Sequence, residues 1–570
     1  MPEPSPPPPG RGRPGRPAGV PVSGAGPVAD RADGARDAAA RGVPLGELVA
    51  ALDGADVRGP GTEGVRVSGA VLDSRTAGPG DLYAALPGQR AHGADFARTA
   101  VGSGAVAVLT DEAGAARLDG GAGLDVPVVV VEDPRSVLGD LAARVHHTGV
   151  HRGAAPGPLL LGVTGTNGKT TTAYLLEGAL AATGRRTGLV GTVETRVAGE
   201  VVASTRTTPE STDLHALLAR MARAGVDAAA LEVSSHALVL HRVDGVVVDV
   251  AGFTNLSQDH LDFHDGMEDY FAAKASLFTP ARSRRGVVVV DDEWGRRLAA
   301  TAGVPVTTVS TVPDAPEGAD AGWRARARSA DATGTDLELR AADGRRLALR
   351  APLPGAFNVA NTALAAVMLL EAGVGPDDVV RGLAAAGSVP GRLEVVEAPA
   401  DAPAGRRPRV LVDYAHTPDA VAAALVAVRP STRGRLVVVL GAGGDRDRGK
   451  RGPMGAAAAR HADVVVVTDD NPRSEDPAAI RAAVLAGATA PLPAADLSTT
   501  RPSGAVEVLE VGDRGRALRA ALDAAGPDGT VLVAGKGHER GQEVAGVVHP
   551  FDDRDEARAA LAATGGDEDA

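Results

Sequence analysis

The chain has 570 residues, of which 59 are Lys or Arg and 72 are Asp or Glu, so its formal net charge is −13. This length is enough for three or four domains, and a hydrophobic fraction of 44% is ordinary for a globular protein. The chain has no cysteine, which excludes disulfides, thiolate metal sites and cysteine nucleophiles. The negative charge disfavours a nucleic-acid partner, and no stretch approaches the ~18–20 apolar residues of a membrane span.

Composition divides the chain into segments. Pro and Gly occupy 16 of the first 30 positions, a composition that cannot bury a core, so residues 1–41 are predicted to be a disordered extension. Beyond it, short Val-rich runs alternate with Ala-rich helical stretches, which is typical of α/β domains with mostly parallel sheets. A polar stretch at 312–350 is expected to form strands or loops late in the second domain. The predicted domains are 42–155, 156–390 and 391–560, with a short tail at 561–570.

A phosphate-binding loop is predicted at the start of the second domain. The run 159–164 is typical of a buried strand, and a helix is predicted from Thr171 onward. Between them, backbone N–H groups and the helix N-terminus would hold phosphate oxygens, Lys169 would neutralise the β- and γ-phosphates, and Thr170 would hold Mg²⁺. Val163 stands where the generic motif has Gly, and the loop alone fits a kinase, a GTPase or a ligase. The loop residues are Gly165, Thr166, Asn167, Gly168, Lys169, Thr170 and Thr171.

Candidate metal ligands follow two further apolar runs. Glu232 ends one run and His260 follows the other, so both are expected at the carboxyl edge of the sheet, where open α/β sheets bind ligands. With Thr170 they offer carboxylate, imidazole and hydroxyl groups, and Mg²⁺ takes few protein ligands. Zinc is the alternative for the His/Asp cluster around His260. Lys274 lies in a nearby Tyr-x-x-x-Lys segment, where a solvated helix lysine would be the default.

Two groups of polar motifs lie further along the chain. Asn358 and Asn361 share one helix face and could read an adenine edge, although Asn358 as a helix N-cap is an equally good interpretation. Polar motifs at 441–447, 470–473 and 535–539 each follow a predicted strand, so they should converge on one sheet edge. Their Arg residues suit carboxylates and their Asp and Glu suit an ammonium, which favours a zwitterionic amino acid with an extra carboxylate. The first of these motifs lacks the third Gly of a dinucleotide site.

Together these motifs resemble the Mur ligase family, which includes folylpolyglutamate synthase, over about residues 65–560. The phosphate loop, the Asn358/Asn361 motif and the Asp-Asn-Pro-Arg motif at 470–473 carry the resemblance. It implies an α/β protein of three domains: a UDP-binding N-terminal α/β lobe, a central P-loop ATPase-like domain with a mostly parallel sheet, and a C-terminal Rossmann-like domain. It also implies that Lys274 is carbamylated, since two Mg²⁺ ions beside a bare ammonium would repel it.

The resemblance implies site residues in every domain. The catalytic positions are Lys169, Lys274, His260 and Glu232, and the metal ligands are Thr170, Glu232, His260 and carbamylated Lys274. Besides the loop, ATP would be contacted by Asn358, Asn361, Arg392 and Asp413. The UDP-dipeptide would be held by Leu72, Ser74, Gln89, Arg90, Ala91, Thr207, Thr208, Ser234, Leu240 and Arg242, of which Leu240 departs from the Gln of a relative. The amino acid would be contacted by Arg446, Asp470, Asn471, Pro472, Arg473, Gly535 and Glu539.

The activity implied by the resemblance is ATP-dependent addition of meso-diaminopimelate to UDP-N-acetylmuramoyl-L-alanyl-D-glutamate in peptidoglycan synthesis. The D-Glu carboxylate would attack the γ-phosphorus of ATP, and the amine would then attack the acyl phosphate, with catalysis mainly by positioning and charge neutralisation. The alternatives are a sister ligase that adds L-lysine, a folylpolyglutamate-type ligase and a nucleotide-gated binding module without turnover. We expect a cytoplasmic monomer that needs Mg²⁺, does not bind nucleic acid and does not insert into a membrane.

Overall fold

The computed structural model describes residues 42–563 except 89, 120–122, 150–156, 204–205, 262, 313–321, 332, 401, 403–404 and 492–505. Gln89 and the predicted extension 1–41 therefore lie outside the described residues. Three large sheets, one in each predicted domain, and two separate two-stranded pairs organise the described chain. In the part of the chain that the structure describes, no helix has both the length and the apolar character needed to cross a membrane.

The first domain is built on a five-stranded sheet of order β2-β7-β6-β5-β4, in which only β2 runs antiparallel. Strands β1 and β3 form a separate antiparallel pair. Strands β4 to β7 are almost entirely buried because helices cover both faces of the sheet. The strands are β1 (Val43–Pro44), β2 (Asp56–Arg58), β3 (Arg66–Val67), β4 (Gly69–Val71), β5 (Asp81–Ala84), β6 (Ala107–Thr110) and β7 (Val128–Val130). The helices are Leu45–Ala50, Ala97–Gly102, Glu112–Asp119 and Pro134–His146, with a 3₁₀ turn at Gly93–Phe96.

The central domain contains an eleven-stranded sheet of order β11-β10-β9-β12-β8-β13-β14-β15-β16-β17-β18. The central run β9-β12-β8-β13-β14-β15-β16 is parallel, and both ends of the sheet are antiparallel ribbons. The strands are β8 (Leu159–Thr164), β9 (Thr187–Val190), β10 (Thr195–Val197), β11 (Glu200–Val202), β12 (Ala228–Glu232), β13 (Val250–Phe253), β14 (Gly286–Val289), β15 (Val306–Ser310), β16 (Trp323–Asp331), β17 (Gly334–Ala341) and β18 (Arg346–Ala351). The helices are Lys169–Ala182, Ser211–Arg223, Ser235–Val239, Met267–Ala275, Glu293–Thr301, Ala356–Glu371 and Pro376–Ala385, with a 3₁₀ turn at Ser276–Phe278.

The third domain has a six-stranded sheet of order β19-β20-β24-β21-β22-β23, parallel except for β19. Strands β25 and β26 form a hairpin beyond it. The strands are β19 (Glu394–Val396), β20 (Arg409–Asp413), β21 (Leu436–Leu440), β22 (Val464–Val467), β23 (Glu507–Glu510), β24 (Thr530–Ala534), β25 (Gly541–Val544) and β26 (Val547–Pro550). The helices are Pro418–Val428, Arg451–His461, Pro477–Ala488, Arg514–Ala525 and Asp553–Ala563, with a 3₁₀ turn at Arg429–Ser431.

The predicted fold class, an α/β protein of three domains with mostly parallel sheets, is confirmed, and the polar stretch at 312–350 contains the antiparallel strands β16 to β18. Two details differ from the sequence predictions. Asn358 is not a helix N-cap: Gly355 takes that position, and the Asn358 amide donates to the Pro354 carbonyl at 2.8 Å from within the first turn. The last helix runs past the predicted boundary at 560 because Leu561, 2% exposed, packs in the core of the third domain.

Candidate active site

The predicted phosphate loop joins β8 to the helix Lys169–Ala182. Gly168 caps that helix in the left-handed region, at φ 92°, and a Cβ at this position would lie 2.3 Å from the Asn361 Oδ1. Lys169 Nζ donates to the carbonyls of Gly165 and Thr166, both at 2.9 Å, so the loop closes around the ammonium. Burial lowers the pKa of Lys169. The structure thus brings Asn361 from a distant helix against the loop, as the predicted nucleotide site requires.

Glu232 ends β12 with its side chain completely buried beside the loop. Its carboxylate accepts the Thr170 hydroxyl at 3.0 Å, and it also accepts both the backbone N–H and the hydroxyl of Thr192, at 2.8 and 3.0 Å. A Cβ on Gly191 would lie 2.4 Å from Glu232 Oε1, so this close approach requires glycine. Thr170 and Glu232 therefore meet as predicted. Sequence reasoning missed Thr192, although the Gly-Thr pair directly after β9 was a usable signal.

Lys274 lies beneath the same loop and is 1% exposed. Its Nζ donates to the Gly165 carbonyl at 2.7 Å and lies 4.5 Å from the centre of the Tyr270 ring. Burial, and then the charge of Lys169, hold the pKa of Lys274 well below its ordinary value. Carbamylation needs a neutral amine, so this environment fits the predicted modification.

His260 occupies the loop after β13, in the left-handed region at φ 55°. Its ring stands edge-on to those of His236 and Tyr270, at centroid distances of 4.9 and 6.2 Å, and its Nε2 lies 3.5 Å from the Asp259 carboxylate. Burial lowers the pKa of His260 to about 4, which keeps the imidazole neutral and able to ligate a metal. Among the residues that the structure describes, no three His, Asp or Glu side chains group as a metal site.

The third domain reaches into the nucleotide site through Arg392. Its Nη2 donates to the Thr170 hydroxyl at 3.1 Å, and its guanidinium lies 4.6 Å from the centre of the Tyr414 ring. Asp413, at the end of β20, accepts the backbone N–H groups of Leu393 and Ala415 at 2.7 and 2.8 Å. Burial raises the pKa of Asp413. In this arrangement Arg392 touches the phosphate loop, while Asp413 shapes the segment that carries Arg392.

The three polar motifs of the third domain converge as predicted, because β21, β22 and β24 are neighbours in its sheet. The Asn471 amide donates to Glu539 at 2.9 Å, which joins the ends of β22 and β24. Asp470 and Asn471 are both less than a tenth exposed. Gly535 adopts φ 115°, and a Cβ there would lie 3.5 Å from the Asp470 carboxylate. Lys536, for which the sequence predicts no role, is enclosed by these groups.

Arg473 and Arg446 stand at the open side of this cluster. Arg473 has a left-handed backbone, at φ 52°, and its Nη1 donates to the Gly444 carbonyl at 2.6 Å. A Cβ on Gly443 would lie 3.0 Å from the Arg473 guanidinium and 3.9 Å from the Arg446 side chain, which brings the two arginines to one glycine. A Cβ on Gly444 would lie 1.9 Å from the Pro472 carbonyl oxygen, so this position requires glycine.

Glu543, in the hairpin of β25 and β26, contacts both the side chain and the backbone of Arg473. Its Nε lies 3.3 Å from Glu543 of β25, and its backbone N–H donates to the Glu543 carbonyl at 3.0 Å. Sequence reasoning missed Glu543, since nothing in the sequence pairs the hairpin with the Asp-Asn-Pro-Arg loop.

The residues predicted for the UDP end lie at the carboxyl edge of the first sheet. Ser74 is buried and Leu72 is half-buried, both just after β4. Arg90 and Ala91 are exposed on a loop that the Pro87–His92 bridge closes. Gln89 of the same loop lies outside the described residues.

The residues predicted for the dipeptide end gather beside Glu232. Thr208 donates to the Glu232 carbonyl at 2.8 Å and accepts the Ser234 N–H at 3.2 Å, and the Thr207 and Thr192 hydroxyl oxygens lie 3.0 Å apart. Ser234 also caps the short helix Ser235–Val239. These contacts bring the predicted dipeptide residues Thr207, Thr208 and Ser234 to the end of β12.

Arg242 and Leu240 lie at the border with the first domain. Arg242 pairs with Glu210 at 3.0 Å, and the same carboxylate pairs with Arg135 of the first domain at 3.2 Å. Leu240 is half-buried, and its carbonyl lies 3.4 Å from Arg135, so only its backbone offers a polar contact. The first and central domains are therefore joined at the predicted dipeptide site.

Comparison with known proteins gives a consistent result over nearly the whole chain. Family models match at 66–146 (Mur ligase family, catalytic domain), 163–369 (Mur ligase middle domain) and 391–537 (Mur ligase, glutamate ligase domain). A Streptomyces coelicolor protein named UDP-N-acetylmuramoyl-L-alanyl-D-glutamate--2,6-diaminopimelate ligase is 52% identical, covering 92% of this chain and 97% of that protein. A Leifsonia xyli protein named UDP-N-acetylmuramyl-tripeptide synthetase is 49% identical, covering 92% and 96%. A solved structure of a UDP-N-acetylmuramoyl-L-alanyl-D-glutamate--2,6-diaminopimelate ligase superposes with a TM-score of 0.57 at 30% identity, covering 87% and 95%.

Proposed function

The chain belongs to the Mur ligase family, and from that premise we propose that it adds meso-diaminopimelate to UDP-N-acetylmuramoyl-L-alanyl-D-glutamate with ATP, in peptidoglycan precursor synthesis in the cytoplasm. One observation carries the proposal: the ends of β21, β22 and β24 meet at one sheet edge, where Asn471 contacts Glu539 and where Arg473 of the same Asp-Asn-Pro-Arg motif lies. The same domain contacts the phosphate loop through Arg392. The proposed amino-acid site and the proposed ATP site would thus belong to one assembly.

The ATP end of this assembly supports phosphoryl transfer to a carboxylate. Lys169 and the backbone N–H groups of the loop would hold the phosphates, and Thr170, Glu232, His260 and carbamylated Lys274 would hold Mg²⁺. Bound there, the metal supplies charge neutralisation for the transferred phosphoryl group. Thr207, Thr208 and Ser234 adjoin Glu232, which would place the D-Glu carboxylate of the acceptor next to the γ-phosphate.

Contact between the central and third domains would protect the acyl phosphate formed in the first step. Arg392 bridges the two domains at Thr170, and Tyr414 packs against its guanidinium. A closed site excludes water, which would otherwise hydrolyse the intermediate before the amine arrives. We expect the amine to attack the acyl carbon from the third-domain side, where Asp470 and Glu539 lie.

The choice of amino acid would depend on the charges of the third-domain site. Meso-diaminopimelate carries an ammonium and a carboxylate at its distal carbon, whereas lysine carries only the ammonium. Asp470 and Glu539 suit the ammonium, and the planar fork of Arg473 suits the carboxylate. Lysine would leave Arg473 without its substrate partner, which disfavours the lysine-adding alternative.

The test is ADP release by the purified enzyme with ATP, Mg²⁺ and the UDP-dipeptide acceptor, comparing diaminopimelate, lysine and no amino acid. We expect release with diaminopimelate, accompanied by a tripeptide product of the corresponding mass, and a much lower rate with lysine. Equal or faster release with lysine would overturn the substrate assignment. No release with any amino acid would overturn the ligase proposal itself.

A further inference from the structure

The use of lysine in this chain is highly selective. Only four of its 59 basic residues are lysines, at positions 169, 274, 450 and 536, and the other 55 are arginines. Because almost every basic residue of this chain is arginine, each of the four lysine positions stands out. Lys169 and Lys274 belong to the ATP end of the site described above. Lys536 has no role there, yet it is completely buried.

Lys536 lies at the centre of the third-domain site. Its Nζ donates to the Asn471 Oδ1 at 2.9 Å and lies 3.3 Å from Glu539 Oε2 and 3.4 Å from Asp470 Oδ1. These three acceptors come from the ends of two different strands, β22 and β24. An ammonium has three N–H groups that diverge from one atom, and here it meets three oxygens. A planar guanidinium would be larger and could not point to all three from one enclosed position.

The contacts of Lys536 decide which atoms the site presents to a ligand. The Asn471 Oδ1 accepts both the Lys536 ammonium, at 2.9 Å, and the Glu543 backbone N–H, at 3.0 Å, so the Asn471 Nδ2 is directed to Glu539 Oε2, at 2.9 Å. Oε2 of Glu539 is thus occupied by two donors, which leaves Oε1 for another partner. Two carboxylates around one ammonium leave a net charge of −1. That remaining charge matches a single substrate ammonium.

We propose that Lys536 is a positioning residue for the amino-acid substrate, acting by fixing the orientations of Asn471, Asp470 and Glu539. This inference rests on the proposed function for the identity of the substrate. Without the ammonium, the nearly buried Asp470 and Asn471 and the one-third exposed Glu539 would lose their shared donor, and Glu539 would turn away or bind the substrate weakly. The effect should therefore fall on amino-acid binding and spare the ATP end.

The experiment compares full-length wild type with Lys536→Met, whose side chain is similar in length and uncharged, and Lys536→Arg. Arg429→Met is the matched control, because Arg429 pairs with Asp463 at 2.8 Å in the same domain but at the opposite, amino edge of the sheet. KM for diaminopimelate, ATP and the UDP-dipeptide, kcat and the melting temperature are measured for each. Direct binding of diaminopimelate is measured by calorimetry.

Lys536→Met is expected to raise the KM and Kd for diaminopimelate at least about 30-fold, as truncation of a buried charged partner does, with the ATP KM changed less than about threefold. Lys536→Arg should recover part of this loss because it keeps the charge. Arg429→Met should lower the melting temperature and leave the diaminopimelate KM unchanged.

A diaminopimelate KM within threefold of wild type in Lys536→Met would overturn the inference, as would parallel increases in all three KM values. If Lys536→Met does not fold, Lys536→Arg decides: a diaminopimelate KM equal to that of wild type would overturn the inference. Failure of the wild type to use diaminopimelate would instead refute the proposed function, so the two outcomes are distinguishable.

Discussion

Replacing Arg473 by Ala should selectively weaken the binding of diaminopimelate. The Arg473 side chain is 24% exposed, and its Nη1 and Nε are held by Gly444 and Glu543, so the guanidinium is fixed before the substrate arrives. Truncating one partner of a buried charged pair costs about 2–5 kcal/mol, and partial exposure puts this site toward the lower end of that range. We expect a loss of about 2–3 kcal/mol, or about 30- to 150-fold in KM. The left-handed backbone of residue 473, at φ 52°, is equally unfavourable for Arg and for Ala, so it does not contribute to the difference between wild type and variant.

The assay is the KM for each of the three substrates, measured by ADP release. Arg473→Lys should recover only part of the loss, since a point charge cannot make two parallel hydrogen bonds. Glu543→Gln serves as a control. The ion pair between Glu543 and Arg473 is partly exposed and contributes about 0.2–1 kcal/mol, so the diaminopimelate KM of this variant should change less than about fivefold. If Arg473→Ala used diaminopimelate with a KM within threefold of wild type, the Asp-Asn-Pro-Arg motif would be a structural turn, and the substrate assignment would lose its main support.

Four further outcomes are expected. Lys274→Ala should nearly abolish turnover and be partly rescued by acetate; full activity without acetate would contradict the carbamylation prediction. Removal of Mg²⁺ with EDTA should stop ADP release, and added Mg²⁺ should restore it. Arg392→Ala should raise the ATP KM about 10- to 100-fold, as loss of a charge-assisted contact at Thr170 implies, and an unchanged value would argue against a phosphate role. Arg514→Met should destabilise the protein by about 3–5 kcal/mol, read as a lower melting temperature, because it leaves Asp553 buried and unpaired, whereas the double variant Arg514→Met/Asp553→Leu should lose much less.

The sequence alone determined the elements that depend on local order. The strand–loop–helix around Gly168 was predicted because an apolar run, glycines and a Lys-Thr pair occur in immediate succession, and the structure has the strand, the left-handed glycine and the helix in that order. The strands predicted before two of the third-domain motifs are present as Leu436–Leu440 and Val464–Val467, since four or five consecutive apolar β-branched or Leu residues between helices have few other arrangements. Convergence of the third-domain motifs followed from a general rule, that parallel strands end at one edge.

Only the tertiary structure decided which side chains meet across long separations in sequence. Thr192 reaches Glu232 because β9 and β12 are neighbours, and Glu543 reaches Arg473 because a hairpin from beyond β24 pairs with the loop after β22. The burial of Lys536 among three acceptors likewise depends on strand order. The periodicity and spacing of apolar residues in the sequence indicate which side chains each helix or strand places on its faces. The order of the strands and the contacts between domains depend instead on the packing of the whole chain. Those contacts therefore became visible only in three dimensions.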